Sequence, residues 1–169
     1  MGRRLPGFLL SAVAACLTLS ACGPSAPAER QAAPAIRLQL LQAPATALDG
    51  WAGLRGQVVV LEFWATWCDD CMAAIPHMNQ LADGLRNRPV RFIAVSNEDA
   101  AVVKKFLKTH PMRAWIGIDA DSSAFATFGV RGIPHTVVLD PEGRVAGQTY
   151  PELLTAQMLE GVLNRPLAR

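Results

Sequence analysis

The chain has 169 residues, 51% of them hydrophobic and 18% charged, with 16 basic and 14 acidic side chains. That is enough apolar material for one domain with a real core, which excludes a wholly disordered chain. The formal net charge of +2 rests on Arg3 and Arg4; without them 14 basic residues face 14 acidic ones, so no case for nucleic-acid binding survives.

In chain order, Arg3 and Arg4 precede a largely apolar run from Leu5 to Leu19, closed by the small-residue stretch Leu19-Ser20-Ala21-Cys22. These are the three regions of an export signal over residues 1–21. The run is too short, and too interrupted by Pro6 and Gly7, for a membrane span of roughly 20 apolar residues. LSAC resembles the bacterial lipobox, which makes Cys22 the first mature residue and the carrier of the lipid; the alternative is an ordinary cleaved signal with an incidental cysteine. Cys16 leaves with the signal and lipid occupies Cys22, so Cys68 and Cys71 remain for thiol chemistry. In an oxidising compartment such a pair is available to bond to itself. Gly23 is not the aspartate that retains many enterobacterial lipoproteins at the inner membrane, which leans toward the outer one. Residues 22–35, rich in Pro, Ala and polar residues without apolar periodicity, read as a flexible tether.

A single domain is expected over residues 36–169. Ile36-Arg-Leu-Gln-Leu-Leu41 reads as a short strand, and WAGLRGQ (51–57) as a turn. Val58 to Phe63 is a β-branched and aromatic run of buried-strand type. A helix follows from about Cys71 to Arg86, with Pro76 removing a donor inside it. Val90 to Ser96 is a second strand, and Asn97 and Asp99 offer N-caps for a helix to about Thr109. This alternation predicts a parallel core with crossover helices. Ala114 to Ile118 then reads as a strand and Ser122 to Phe128 as a short helix. TVVLD and RVAGQTY flank the turn signal Asp140-Pro-Glu-Gly143, an antiparallel hairpin, and Pro151 to Leu163 reads as one amphipathic helix.

The chemistry concentrates in FWATWCDDCMAAIP, Phe63 to Pro76. A cysteine that opens a helix faces unpaired N–H groups and the positive end of the dipole, which stabilise a thiolate. That makes Cys68 the attacking nucleophile, and Cys71, one turn later and less exposed, the resolving thiol.

LEFWATWCDDC resembles the active-site segment of thioredoxin-fold proteins, and residues 53–147 resemble the TlpA-like or ResA-like membrane-tethered branch. The resemblance implies an α/β thioredoxin-like fold, a single domain with a central mixed sheet flanked by helices. It implies Trp67 as the shield before the nucleophile, Pro76 as the helix proline, and Ile133-Pro134 as the cis-proline loop that receives an extended peptide. Glu62 stands six residues before Cys68, where thioredoxins keep a buried aspartate; as a protonated buried carboxyl it would exchange a proton with Cys71. The alternative is a strand-edge glutamate reaching solvent. Many TlpA-like proteins have asparagine there, and some place a glutamate shortly after the second cysteine, where this chain has Ala74. His135 departs from the small polar residue usual after the cis-proline: near the disulfide it would stabilise the Cys68 thiolate or vary the grip on partners, or else it is a surface-loop histidine. His77 reads as a solvated helix residue.

The implied activity is thiol-disulfide exchange on the periplasmic side of a bacterial membrane, by a monomer with no cofactor and no metal. Its partners would be disulfides of exported proteins, with a membrane thiol carrier of the DsbD or CcdA kind as electron donor and the membrane itself through the Cys22 lipid. Cytochrome c maturation is one assignment, although that branch usually has glutamate where His135 stands. Two other readings stay open: copper handling by Cys68, Cys71 and His135 or His77, and a non-catalytic binding module with a structural disulfide. A peroxidase is disfavoured, because nothing resembles the proline-threonine-cysteine segment of peroxidatic thiols. Asp69 and Asp70 occupy the helix's first turn. A carboxylate about 6 Å from Cys68, at an effective dielectric between about 20 and 80, opposes thiolate formation by about 0.7–2.8 kcal/mol, which pushes the pair toward the reducing side.

Overall fold

A computed structural model describes residues 1–2 and 31–165. Most of the expected export signal, the expected lipidation site Cys22 and the expected tether as far as Arg30 lie outside the described residues. Residues 31–35, expected as the end of the tether, lie against the domain: Ala32 bridges Arg144, and the Ala33 N–H donates to the Gly143 carbonyl at 2.9 Å.

The chain runs β1 (Arg37–Gln42), β2 (Ala47–Asp49), β3 (Val58–Phe63), α1 (Asp69–Gly84), β4 (Val90–Ser96), α2 (Ala100–Leu107), β5 (Trp115–Ile118), α3 (Ser123–Thr127), β6 (His135–Leu139), β7 (Val145–Thr149) and α4 (Ala156–Leu163). The strands form one mixed sheet in the order β2-β1-β5-β4-β3-β6-β7. All six residues of β3 are buried, and it is hydrogen-bonded on both sides. It runs parallel to β4, with Glu62 opposite Ala94, and antiparallel to β6, with Glu62 opposite Thr136 and Phe63 opposite His135. β4 and β5 are parallel, so β3, β4 and β5 form the expected parallel core. A strand covered on both faces has to be apolar throughout, and this sets Glu62 apart.

Alternation along β3 divides the interior. Val59, Leu61 and Phe63 join Ala124 and Phe128 of the α3 region. Val58 and Val60 pack with Met78 of α1 and with Leu159 and Val162 of α4, while Trp64 packs with Cys71 and Ile75 of α1 and Val103 of α2. One face of the sheet therefore carries α1, α2 and α4, and the other carries α3.

Three boundaries differ from expectation. β2 was not foreseen: it is three residues long, pairing Leu48 with Leu38 of β1, too short for a periodicity to register. α1 begins two residues before Cys71, because Cys68 itself takes the N-cap position. The C-terminal helix is broken. Pro151–Leu153 is a 3-10 turn, Leu154 is extended with its side chain fully buried, and the Thr155 hydroxyl accepts the Met158 N–H at 3.2 Å to start α4 afresh.

Candidate active site

β3 delivers the chain through Phe63 and Trp64 to a turn whose last residue, Cys68, caps α1. The Cys68 N–H donates to the Ala65 carbonyl at 3.2 Å, and Cys68 Sγ accepts the Cys71 N–H at 3.1 Å. Cys68 and Cys71 are joined as a disulfide, with their Cα atoms 5.2 Å apart. Cys68 is 7% exposed and Cys71 only 1%. Cys68 is thus slightly the more accessible of the two sulfurs. Trp67, directly before Cys68, is 70% exposed.

The turn is held by a residue that sequence reasoning passed over. Glu98, just beyond β4, accepts from the Thr66 N–H at 2.6 Å with one oxygen and from the Thr66 hydroxyl at 2.7 Å with the other; the Ser96 hydroxyl donates to it at 3.2 Å. Only the helix cap beside it was legible: Asp99 accepts the Ala101 N–H at 2.7 Å. The Glu98–Thr66 contact spans 32 residues, and it exists because parallel pairing sets the ends of β3 and β4 side by side.

Glu62 is 3% exposed, in the centre of the sheet and on the face covered by α1, so it is not a strand-edge residue reaching solvent. Among the described residues its Oε1 has no hydrogen-bond partner, nor does the hydroxyl of Thr136 across the β3–β6 ladder. It borders a cavity of about 10 Å3 with Met78, Asn79 and Met112, close to the lower limit for one water. Burial without a compensating charge pushes its carboxyl from an ordinary 4.5 up to about 7.

The Ile133–Pro134 peptide is cis and Pro134 is buried. His135 opens β6 opposite Phe63, with ring centroids 6.3 Å apart, and its half-buried ring has an Nε2 without a hydrogen-bond partner among the described residues. It is thus not a surface-loop histidine. Sharing Phe63's side of the sheet, it lies on the α3 face and not on the α1 face that carries the cysteines. His77 departs from its expected solvated state: half-buried, its Nε2 lies 2.8 Å from the Leu154 carbonyl. The same buried Leu154 that breaks the last helix therefore anchors α1. Asp69 and Asp70 are exposed in the first turn of α1.

A groove of about 430 Å3 runs beside the site, between α1, the cis-proline and the turn after β7. The arrangement places a sulfur pair at a helix N-terminus beside an open channel, with a buried carboxyl on the same face of the sheet. A sulfur pair so placed can exchange a disulfide with a partner.

A family model described as AhpC/TSA matches residues 30–148. The chain is 32% identical over 113 residues to the thiol-disulfide oxidoreductase ResA of Bacillus thuringiensis (strain Al Hakam), covering 66% of this chain and 65% of that protein. It is 28% identical over 112 residues to ResA of Bacillus subtilis (strain 168), covering 66% and 60%. The match thus spans less than two thirds of the length of these relatives. The crystal structure of a thiol:disulfide interchange protein of the thioredoxin family from Chlorobium tepidum TLS superimposes with a TM-score of 0.69 at 23% identity, covering 82% of this chain and 100% of that one. At that identity the likeness establishes the thioredoxin-like fold.

Proposed function

The chain belongs to the AhpC/TSA family, and on that premise we propose that it is a thiol-disulfide oxidoreductase, tethered to a membrane through Cys22, that reduces disulfides in exported proteins. The observation that carries the reading is the Cys68–Cys71 disulfide at the N-cap of α1, beside cis-Pro134. In the reduced protein, the Cys68 thiolate attacks one sulfur of a partner disulfide. A mixed disulfide forms and the partner's other sulfur leaves as a thiolate. Cys71 loses its proton and attacks Cys68 Sγ; the Cys68–Cys71 bond forms, the second partner thiolate leaves, and two electrons have passed to the partner. A dithiol donor restores the cycle by the same steps in reverse, and a membrane thiol carrier suits a tethered protein.

Glu62 serves in this scheme as the acid/base for Cys71. It lies on the sheet face where Trp64 packs against Cys71, and a carboxyl titrating near 7 can both take and return a proton. The C-x-x-C pair alone, with no peroxidatic motif beside it, favours protein disulfides over peroxide as substrate. Cysteines awaiting haem attachment are one substrate class for such a reductase; His135 in place of the glutamate usual in that branch argues for a wider set.

The test is the reduction potential of the pair, with exchange kinetics alongside. A potential near about −270 mV, like that of thioredoxin, supports the reductase direction; one near about −120 mV, like that of DsbA, makes the protein an oxidant. Cys68→Ser should abolish exchange, and Cys71→Ser should accumulate the mixed disulfide. Turnover unaffected by Cys68→Ser refutes the proposal.

A further inference from the structure

The groove beside the disulfide carries more than room for a backbone. Ile133 and Pro134 give it apolar surface, and its polar groups come from Asp70, His77, Tyr150 and Glu152. Asp70 belongs to the first turn of α1 and Glu152 to the 3-10 turn after β7, so two separate elements each bring a carboxylate. Both are exposed, and neither forms a salt bridge among the described residues. The Leu154 carbonyl can only accept, so the His77 Nε2 facing it bears the hydrogen. Among the described residues, no lysine or arginine lines the groove. Arg131, exposed in the loop before Gly132, is the nearest cation in sequence to the cis-proline.

Acceptors without a cation, set among apolar surface and an aromatic ring, suit one kind of side chain. Lysine and arginine lay an alkyl stem over apolar atoms while the head seeks carboxylates, and Tyr150 adds a ring face for the cation. Tyr150 is 55% exposed, and Leu153, next to Glu152, is 59% exposed, so this margin of the groove is open to a partner. We infer that the groove selects partner segments in which a lysine or arginine flanks the cysteine under attack. This inference rests on the exchange reaction above and names the substrate class of the same site.

One unit charge about 6 Å away, at an effective dielectric of about 40, alters a rate about tenfold. The test uses the reduced full-length protein and three peptides that differ only in the residue flanking a mixed disulfide with 2-mercaptoethanol: Lys, Gln or Glu. The expected order is Lys, then Gln, then Glu, with at least a tenfold spread between the ends at low salt that narrows toward unity at 1 M salt. Glu152→Gln should cut the Lys-to-Glu rate ratio at least tenfold, and Glu152→Lys should cut it further, by slowing the Lys peptide as well as accelerating the Glu peptide. Because each ratio is measured within one protein sample, a variant that loses some folded material still gives a valid answer. Equal rates for the three peptides, or a ratio unmoved by both substitutions, overturns the inference and leaves the oxidoreductase reading standing. Absence of exchange with these peptides and with 2-hydroxyethyl disulfide overturns the oxidoreductase reading itself.

Discussion

The rim of the site and its floor use the same functional group in opposite ways. Asp69 and Asp70 are exposed at the first turn of α1, while Glu62 is 3% exposed in the middle of β3. At the rim, the carboxylates face water and act through a screened field. On the floor, nothing solvates Oε1, and burial pushes the carboxyl to about 7, where it holds a proton. Solvent access decides whether a carboxylate in this domain supplies a screened field or a proton.

The largest effect expected is on the floor. Because the folded value, about 7, lies above the ordinary 4.5, the folded chain keeps a proton that the unfolded chain releases across that window. The stability from this group is therefore whole below about pH 4.5 and is lost as pH rises through 7, by about 3 kcal/mol in all. Glu62→Gln removes this dependence: denaturant titrations should show the variant gaining about 3 kcal/mol relative to wild type between pH 4 and pH 8. The same variant should resolve mixed disulfides at least tenfold more slowly near pH 7. An unchanged resolution rate would remove Glu62 from the proton transfer, and an unchanged pH dependence would contradict its burial.

Between rim and floor stands Glu98, half-buried and fully bonded. Glu98→Ala strips Thr66 of a partner for both its N–H and its hydroxyl, with an expected loss of about 2 kcal/mol in chemical denaturation. It should also loosen the turn that carries Trp67, visible as a change in tryptophan fluorescence anisotropy. Glu98→Gln, which keeps an acceptor, should recover part of both.

The rim effect is the smallest. Asp69→Gly with Asp70→Pro should raise the reduction potential by tens of millivolts, since less field opposes the Cys68 thiolate. The shift should fade at 1 M salt, where the screening length falls to about 3 Å, whereas the Glu62 effect should not. A salt-insensitive rim, or a salt-sensitive floor, breaks the division between the two.

The parts of this division differ in how openly the sequence declares them. VVVLEF announces a buried strand because five of its six positions are apolar and can be counted locally, and the cap at Cys68 follows from a strand, a short turn and a helix in succession. The cis bond at Pro134 came through family resemblance, since one X-Pro step alone does not specify its isomer. Glu98 stayed hidden because its partner lies 32 residues away and becomes a neighbour through strand pairing alone. The break before α4 stayed hidden for a related reason. Pro151, Leu154, Leu159 and Val162 are all buried at spacings a helix could satisfy, and it is Leu154's place in the core that stops the chain from coiling. His77 was misjudged with it, its partner being that same residue's carbonyl.

Cys68 Sγ is both the atom that trades electrons and the acceptor closing the first turn of α1 through the Cys71 amide. A thiolate, a mixed disulfide and the internal disulfide are acceptors of different strength, so the grip on that amide hydrogen changes at each stage of turnover. Its rate of isotope exchange with solvent is accordingly a gauge of how many electrons the pair holds, and one backbone position can report the redox state with no label attached to sulfur.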